Sequence, residues 1–275
     1  MTILHMLLLA LIQGITEFLP ISSSGHLILL PLLTPLPDQG PLMDVAVHVG
    51  TLLAVILYFW RDSLGLLVAG AGVMGVPQAR QTERQQQYIK LLWSLIIATL
   101  PIVIFGTLLV KSGLLTSLRS ASVIATTSII FGLLLWWADR KDSFKSMDRL
   151  GIKSALIIGL SQIIALIPGT SRSGITMTAA RSLGFDRKTA ARFSMLLSIP
   201  TILAAGVLAG YEMVQLGTAV DWATAMTVAG MAFVFAIVAI HFLLKWLETR
   251  TMGIFVIYRV LLGLGLFALV GAGKL

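Results

Sequence analysis

The chain has 275 residues, 57% of them hydrophobic and 12% charged, with a formal net charge of +8 and no cysteine. Soluble domains carry about a quarter charged residues, so this is an integral membrane protein, expected to lack a separate soluble domain. The missing cysteines exclude disulfides, thiolate zinc and thiol redox chemistry, and the excess positive charge is assigned to membrane-orienting loops rather than to nucleic acid.

The N-terminus is apolar from Met1 but lacks a positive n-region and a small-residue cleavage site, so it is expected to be retained. It opens an apolar stretch, residues 3–33, that Pro, Gly and Ser interrupt in the middle. A span is predicted over 42–60. A solvated basic loop follows, with Arg61, Arg80, Arg84, Lys90 and the polar run Gln81 to Gln87. Spans over 91–110 and 121–138 come next, with Lys111 and Arg119 between them. Arg140, Lys141, Lys145, Arg149 and Lys153 form a second basic loop, and residues 153–182 are again apolar and broken midway. Arg181, Arg187, Lys188 and Arg192 flank a third basic loop. Spans over 193–210, 224–246 and 254–272 complete the chain, with Glu212 and Asp221 in one connection and Lys245 and Arg250 in the other.

Each of the six spans is near the roughly 20 residues a bilayer demands. Trp60, Trp93, Trp136, Trp137 and Trp246 fall near span ends, as interfacial aromatics do. Irregular backbone at membrane depth is tolerated only where it is buried in protein or lines a wet cavity. Residues 3–33 and 153–182 are therefore expected to be two re-entrant helical hairpins. The positive-inside rule then puts the four basic loops in the cytoplasm and both termini outside, provided each hairpin returns to the side it enters.

The chain also resembles itself. Gly14-Ile-Thr-Glu17 matches Gly159-Leu-Ser-Gln162, Ser22-Ser-Ser-Gly25 matches Ser171-Arg-Ser-Gly174, and Gly50-Thr-Leu-Leu-Ala54 matches Pro200-Thr-Ile-Leu-Ala204, at offsets of 145, 149 and 150 residues. One hairpin plus three crossings per half gives the halves opposite orientation, a layout described for secondary transporters. The expected fold is an all-α polytopic membrane protein: one membrane domain, 1–275, with inverted repeats over about 1–138 and 153–275.

Two polar clusters mark the breaks. Ionisable groups inside a membrane are costly and mark function by default. In the second, Pro168 and Gly169 break the helix, and a new helix is expected near Gly174. Its N-terminus suits an anion. Gly169, Thr170, Ser171, Ser173 and Thr176 are candidate phosphate-binding positions, and Arg172 supplies a planar fork for phosphate oxygens. In the first cluster, Gln13 and Glu17 share a helix face and are candidate oxygen ligands for a hard divalent cation, Mg²⁺ or Ca²⁺. Ser22 and Ser24 are candidate N-caps and substrate contacts. Ser23 is the candidate nucleophile, with His26 facing it across one turn as base. A second route has His26 or Glu17 activating water, with Ser23 only a ligand. His5, His48 and His241 are read as structural or interfacial. Arg259, inside the last span, either neutralises an acid or extends the anion site.

These residues resemble the undecaprenyl-diphosphate phosphatase, or bacitracin-resistance, family. Its (Glu/Gln)-x-x-x-Glu and Ser-Ser-x-Gly-His motifs correspond to Gln13–Glu17 and Ser22–His26, and its Pro-Gly-x-Ser-Arg-Ser-x-x-Thr motif to Pro168–Thr176. The resemblance spans the whole chain. It implies a bacterial inner-membrane enzyme, facing the periplasm, that hydrolyses undecaprenyl diphosphate with a divalent cation and recycles the carrier for peptidoglycan. Its partners would be the polyprenyl diphosphate and membrane lipid; a homodimer is compatible. The competing reading is a transporter or flippase of a lipid phosphate.

Overall fold

The computed structural model describes residues 1–76, 82–113, 117–215 and 221–275, the side chains of residues 111 and 112 excepted. Arg80, Gln81 and the Lys111 side chain therefore lie outside the described residues. Eleven α-helices form among those described: α1 Ile3–Thr16, α2 Ser23–Leu33, α3 Gly40–Tyr58, α4 Trp60–Val73, α5 Glu83–Ser112, α6 Ala121–Asp139, α7 Ile152–Gln162, α8 Arg172–Ser182, α9 Arg187–Gln215, α10 Trp222–Trp246 and α11 Gly253–Gly271. Six of them (α3, α5, α6, α9, α10 and α11) are long and apolar enough to cross a membrane. This is a polytopic all-helical membrane protein. Its outward positions stay apolar, as Leu67, Val207 and Leu261 illustrate.

The two interrupted stretches are helix–turn–helix pairs. The segments that flank the second pair meet: Lys145 N–H donates to Gly184 O at 3.0 Å, and Asp186 N–H donates to Lys145 O at 3.0 Å. Both inner helices start at a serine with positive φ. Ser22, at φ 77°, caps α2 by accepting from Gly25 N–H, and Ser171, at φ 71°, caps α8 by accepting from Gly174 N–H. Left-handed backbone at a non-glycine residue is uncommon and marks turns held by their surroundings. The second inner helix thus starts two residues before Gly174, because Ser171 is its cap.

Packing repeats the correspondence. α1 lies on α10, and α7 lies on α5. A Cβ on Gly14 would sit 2.5 Å from Phe235 Cβ, and one on Gly159 would sit 2.5 Å from Ala98 O. Small residues that let helix backbones approach are the usual membrane helix contact. Around the first turn, the buried side chains of Phe18, Leu19 and Ile21 join Met177, Met195 and Ile240 in one core.

Two elements depart from expectation. The basic loop after the first span is largely helical: α4 occupies 60–73, and α5 begins at Glu83, eight residues before the predicted start. A capping box in which Thr82 and Gln85 bond each other's backbone starts α5. α4 is too short to span and reads as loop from hydropathy. It is docked by Asp62, which accepts from Tyr88 Oη at 3.0 Å and from Arg192 Nη2 at 2.5 Å. The basic connections interlock on this face. Arg187 donates to Asp139 at 2.7 Å, Lys188 to Glu248 at 3.1 Å and Lys90 to Asp148 O at 3.1 Å.

Candidate active site

Glu17 closes α1, its N–H donating to Gln13 O at 3.0 Å. The chain then turns through Phe18–Ile21 and brings Ser23, the first residue of α2, back to the carboxylate. Ser23 Oγ donates to Glu17 Oε2 at 2.7 Å, and Gln13 Nε2 donates to the same oxygen at 2.9 Å. From the other turn, Arg172 Nη2 donates to Glu17 Oε1 at 2.8 Å while its Nη1 donates to Ser194 O at 2.7 Å. The Glu17 and Arg172 side chains are 6% and 12% exposed. A buried carboxylate is tolerated only with an excellent partner and its lone pairs satisfied, and both conditions are met.

This group forms the polar end of a cavity of about 520 Å³. Ser22, Ser24, Ser171, Thr201, Asp44 and His48 also line it, and the rest of the wall is apolar, including Ile102, Leu166, Ile202, Gly206 and Val207. The wall uses the N-terminal half of α3 and the C-terminal half of α9, so the cavity lies in the half of the molecule away from the basic connections. A larger cavity of about 650 Å³ lies among those connections. Asp139, Arg187, Lys188 and Glu248 in its wall are already matched to one another.

Not every candidate residue reaches the cavity. Gly169, Thr170, Ser173 and Thr176 stand behind its wall. Ser173 Oγ donates to Leu19 O at 2.9 Å, tying the second turn to the first. Thr176 Oγ1 hydrogen-bonds Ser194 Oγ at 2.8 Å. A Cβ on Gly169 would lie 2.2 Å from Thr127 Oγ1. Thr170 is fully buried.

His26 does not pair with Ser23. Its Nδ1 donates to Ser22 O at 2.6 Å, which leaves Nε2 to accept from Tyr258 Oη at 2.5 Å. The ring stacks on Tyr258 with centroids 5.7 Å apart. The i, i+3 spacing placed His26 near Ser23 along the helix, but the carbonyl one turn back captures its ring. Glu17 is the carboxylate that faces the Ser23 hydroxyl.

Arg259 takes neither of its expected roles. It is fully buried and donates only to carbonyls: Ser128 O at 3.2 Å, Pro20 O at 3.2 Å, Thr127 O at 3.3 Å, Gly169 O at 3.0 Å and Thr170 O at 2.8 Å. Pro20 belongs to the first turn and Gly169 and Thr170 to the second, so one guanidinium clasps both. Its five N–H donors are the reason arginine suits the position.

Among the described residues, no group of three or more His, Cys, Asp or Glu side chains is placed to hold a metal ion. Gln13 turns its amide nitrogen to Glu17, and its Oε1 is buried without a hydrogen-bond partner.

Comparison with known proteins agrees along the full length. The family model described as "Bacitracin resistance protein BacA" matches residues 6–265. A protein of Ruegeria pomeroyi named undecaprenyl-diphosphatase is 49% identical over 270 residues, covering 98% of this chain and 99% of the relative. Proteins of the same name are 50% identical over 264 residues in Jannaschia sp., covering 96% of this chain and 97% of the relative, and 51% identical over 271 residues in Saccharophagus degradans, covering 98% and 99%. With the family model and these relatives running nearly end to end through both polar turns, the chain belongs to the bacitracin resistance protein BacA family.

Proposed function

We propose that this chain hydrolyses undecaprenyl diphosphate to undecaprenyl phosphate and inorganic phosphate. The observation that carries this reading is the 2.7 Å bond from Ser23 Oγ to a buried carboxylate that Arg172 holds from the other side. The three groups sit at the polar end of an apolar cavity. A hydroxyl beside a base is the arrangement of an activated nucleophile, for which a simple carrier of lipid phosphate has no use. The names of the relatives support the same substrate.

In this mechanism Ser23 Oγ attacks the terminal phosphorus, and Glu17 Oε2 takes the hydroxyl proton. The bond from phosphorus to the bridging oxygen breaks, and its electron pair leaves with the lipid phosphate. Water then attacks the phosphorus of the phospho-serine, the bond from phosphorus to Ser23 Oγ breaks with its electron pair going to Oγ, Oγ regains its proton from Glu17, the carboxylate takes one proton from the water, and inorganic phosphate is released. Arg172 orients Glu17 and offers positive charge to the phosphate oxygens, the main contribution a protein makes to phosphoryl transfer. The apolar wall receives the prenyl chain.

The orphaned Gln13 Oε1 beside the Glu17 carboxylate fits a hard divalent cation, Mg²⁺ or Ca²⁺. Glu17 and Gln13 would hold it, and its charge would offset that of the diphosphate.

The two helix–turn–helix pairs are read as re-entrant hairpins and the halves as inverted repeats of one membrane domain, 1–275. The matched serine caps, the matched glycine contacts and the joined segments that flank the second pair support this. The protein would sit in the bacterial inner membrane with its basic connections in the cytoplasm. Both termini and the cavity would face the exterior, where the recycled carrier serves peptidoglycan synthesis.

Phosphate release from undecaprenyl diphosphate by purified protein in detergent tests the reading. Activity is expected, and a chelator is expected to remove it until Mg²⁺ or Ca²⁺ is restored. No release with either cation present would overturn the activity. Undiminished release in chelator would overturn the cation alone.

A further inference from the structure

The end of α10 carries a groove of about 620 Å³, lined by Ile237, Val238, Phe242, Lys245, Trp246 and Arg250. Its helical positions recur every three or four residues and so form one face of α10. The opposite face packs on α3 through Ala236, Ile240 and Leu243, which share a core with Ala54 and Val55. The groove side looks outward, with Val238 and Phe242 exposed.

The groove changes character along its length. Ile237, Val238 and Phe242 belong to a helix long and apolar enough to span, where lipid tails are the solvent. Lys245 sits in the last turn, and Arg250 follows in the connection to α11. Trp246 lies between the two regions. Its Nε1–H donates to Thr251 O at 2.9 Å, and its ring tilts on Phe242 with centroids 5.8 Å apart. An indole favours the boundary between tails and headgroups. Arg250 N–H donates to Trp246 O at 2.9 Å, which folds the connection back at the helix end.

Charge selects the occupant. Other cations on this side are matched: Arg187 to Asp139, Lys188 to Glu248 and Arg192 to Asp62. Among the described residues, the side chains of Lys245 and Arg250 have neither an ion pair nor a hydrogen bond. Glu248, the nearest acid in sequence, is held by Lys188 and lines a different cavity, and no carboxylate lines the groove. His241 also lines it, with its ring bonded to Tyr58 Oη at 3.2 Å, so the positive charge is that of Lys245 and Arg250. Membrane orientation asks only for charge on this side. A groove that runs from two unmatched cations into the span fits an amphiphile with an anionic head, the lipid that basic clusters beside membrane helices attract.

We propose that this groove binds an anionic phospholipid of the membrane, with its phosphate between Lys245 and Arg250, its glycerol at Trp246 and an acyl chain along Val238 and Phe242. The proposal stands apart from the phosphatase reading, because none of these residues lines the Glu17 cavity.

The test is native mass spectrometry of the full chain in detergent with dioleoyl phosphatidylglycerol or dioleoyl phosphatidylcholine, which share acyl chains and differ in net charge. Wild type is expected to bind phosphatidylglycerol about tenfold or more tightly than phosphatidylcholine. Lys245→Gln/Arg250→Gln should lose that preference, each cation near the headgroups contributing roughly fivefold. Lys153→Gln/Lys274→Gln, which removes the same charge outside the groove, should keep it. If the first double variant does not fold, Lys245→Gln and Arg250→Gln singly carry the test, each binding phosphatidylglycerol roughly fivefold more weakly. Equal binding of the two lipids by wild type would overturn the proposal. So would an undiminished preference in the folded groove variants, or an equal loss in Lys153→Gln/Lys274→Gln. The thermal shift given by each lipid is a second reading. An equal shift from inorganic phosphate would mark a free-anion site and overturn the lipid assignment.

Discussion

Glu17 receives three hydrogen bonds, from Arg172, Ser23 and Gln13, and each donor comes from a residue that was conspicuous in an apolar stretch. That is why this part of the site was legible from sequence: a charge or an unpaired hydroxyl in hydrocarbon is expensive, so its presence signals a partner. His48 was not legible as part of the cavity wall, because the Glu17 carboxylate, 3.7 Å from its Nε2, is 31 positions away in sequence and a lone histidine on a span reads as packing. His26 misled for the complementary reason. Helical spacing offered Ser23 as its neighbour, while the ring bonds the Ser22 carbonyl and Tyr258. The serine caps give a stability test at this scale. Ser171 combines a cap bond to Gly174 N–H at 3.0 Å with a φ of 71°. Ser171→Ala keeps the strained backbone and loses the cap, and should destabilise by about 1 kcal/mol. Ser171→Gly gives up only a few tenths for the cap while relieving roughly 1 kcal/mol of left-handed strain, and should melt at or slightly above wild type. Thermal melts in one detergent order the three proteins, and a glycine variant less stable than the alanine variant would contradict the cap-and-strain account.

The elements that build the cavity divide its work. The two turns bring the polar groups, held together by the Arg259 clasp, while α5, α9 and the segment before Pro168 supply the apolar wall. The six long helices were readable because about 20 apolar residues leave few alternatives. α4 was not, since its first turn carries Arg61 and Asp62, and its docking depends on Tyr88 and Arg192 from elsewhere in the chain. The wall of α9 gives a specificity test. Gly206 lines the cavity with open space where a Cβ would go, so Gly206→Trp should fold and fill the passage for the lipid. KM for undecaprenyl diphosphate should rise about tenfold or more, the order of a lost apolar contact of a few CH₂ groups. Hydrolysis of farnesyl diphosphate should change little. Equal effects on both substrates would move the prenyl chain elsewhere.

For the whole molecule, the two polar turns meet and their contributions differ. The first half supplies carboxylate and hydroxyl; the second supplies arginine. Their sequence similarity was visible, and their unequal chemistry was too, because Ser23 aligns with Arg172. Sidedness can be measured directly, since the chain has no cysteine of its own. A cysteine at Phe144, 87% exposed in the connection after α6, should react with a membrane-impermeant maleimide only in inverted vesicles. One at Pro37, in the exposed connection after α2, should react only in intact cells. Labelling of both from one side would overturn the topology. The central claim, a single composite site drawn from both turns, is tested most directly by phosphate release from undecaprenyl diphosphate in Glu17→Ala, Ser23→Ala and Arg172→Ala beside wild type. Each variant should remain folded in detergent and lose at least about 10²-fold in kcat, the scale of a positioned acid–base or nucleophilic group. Full activity in any one of the three folded variants would contradict the site.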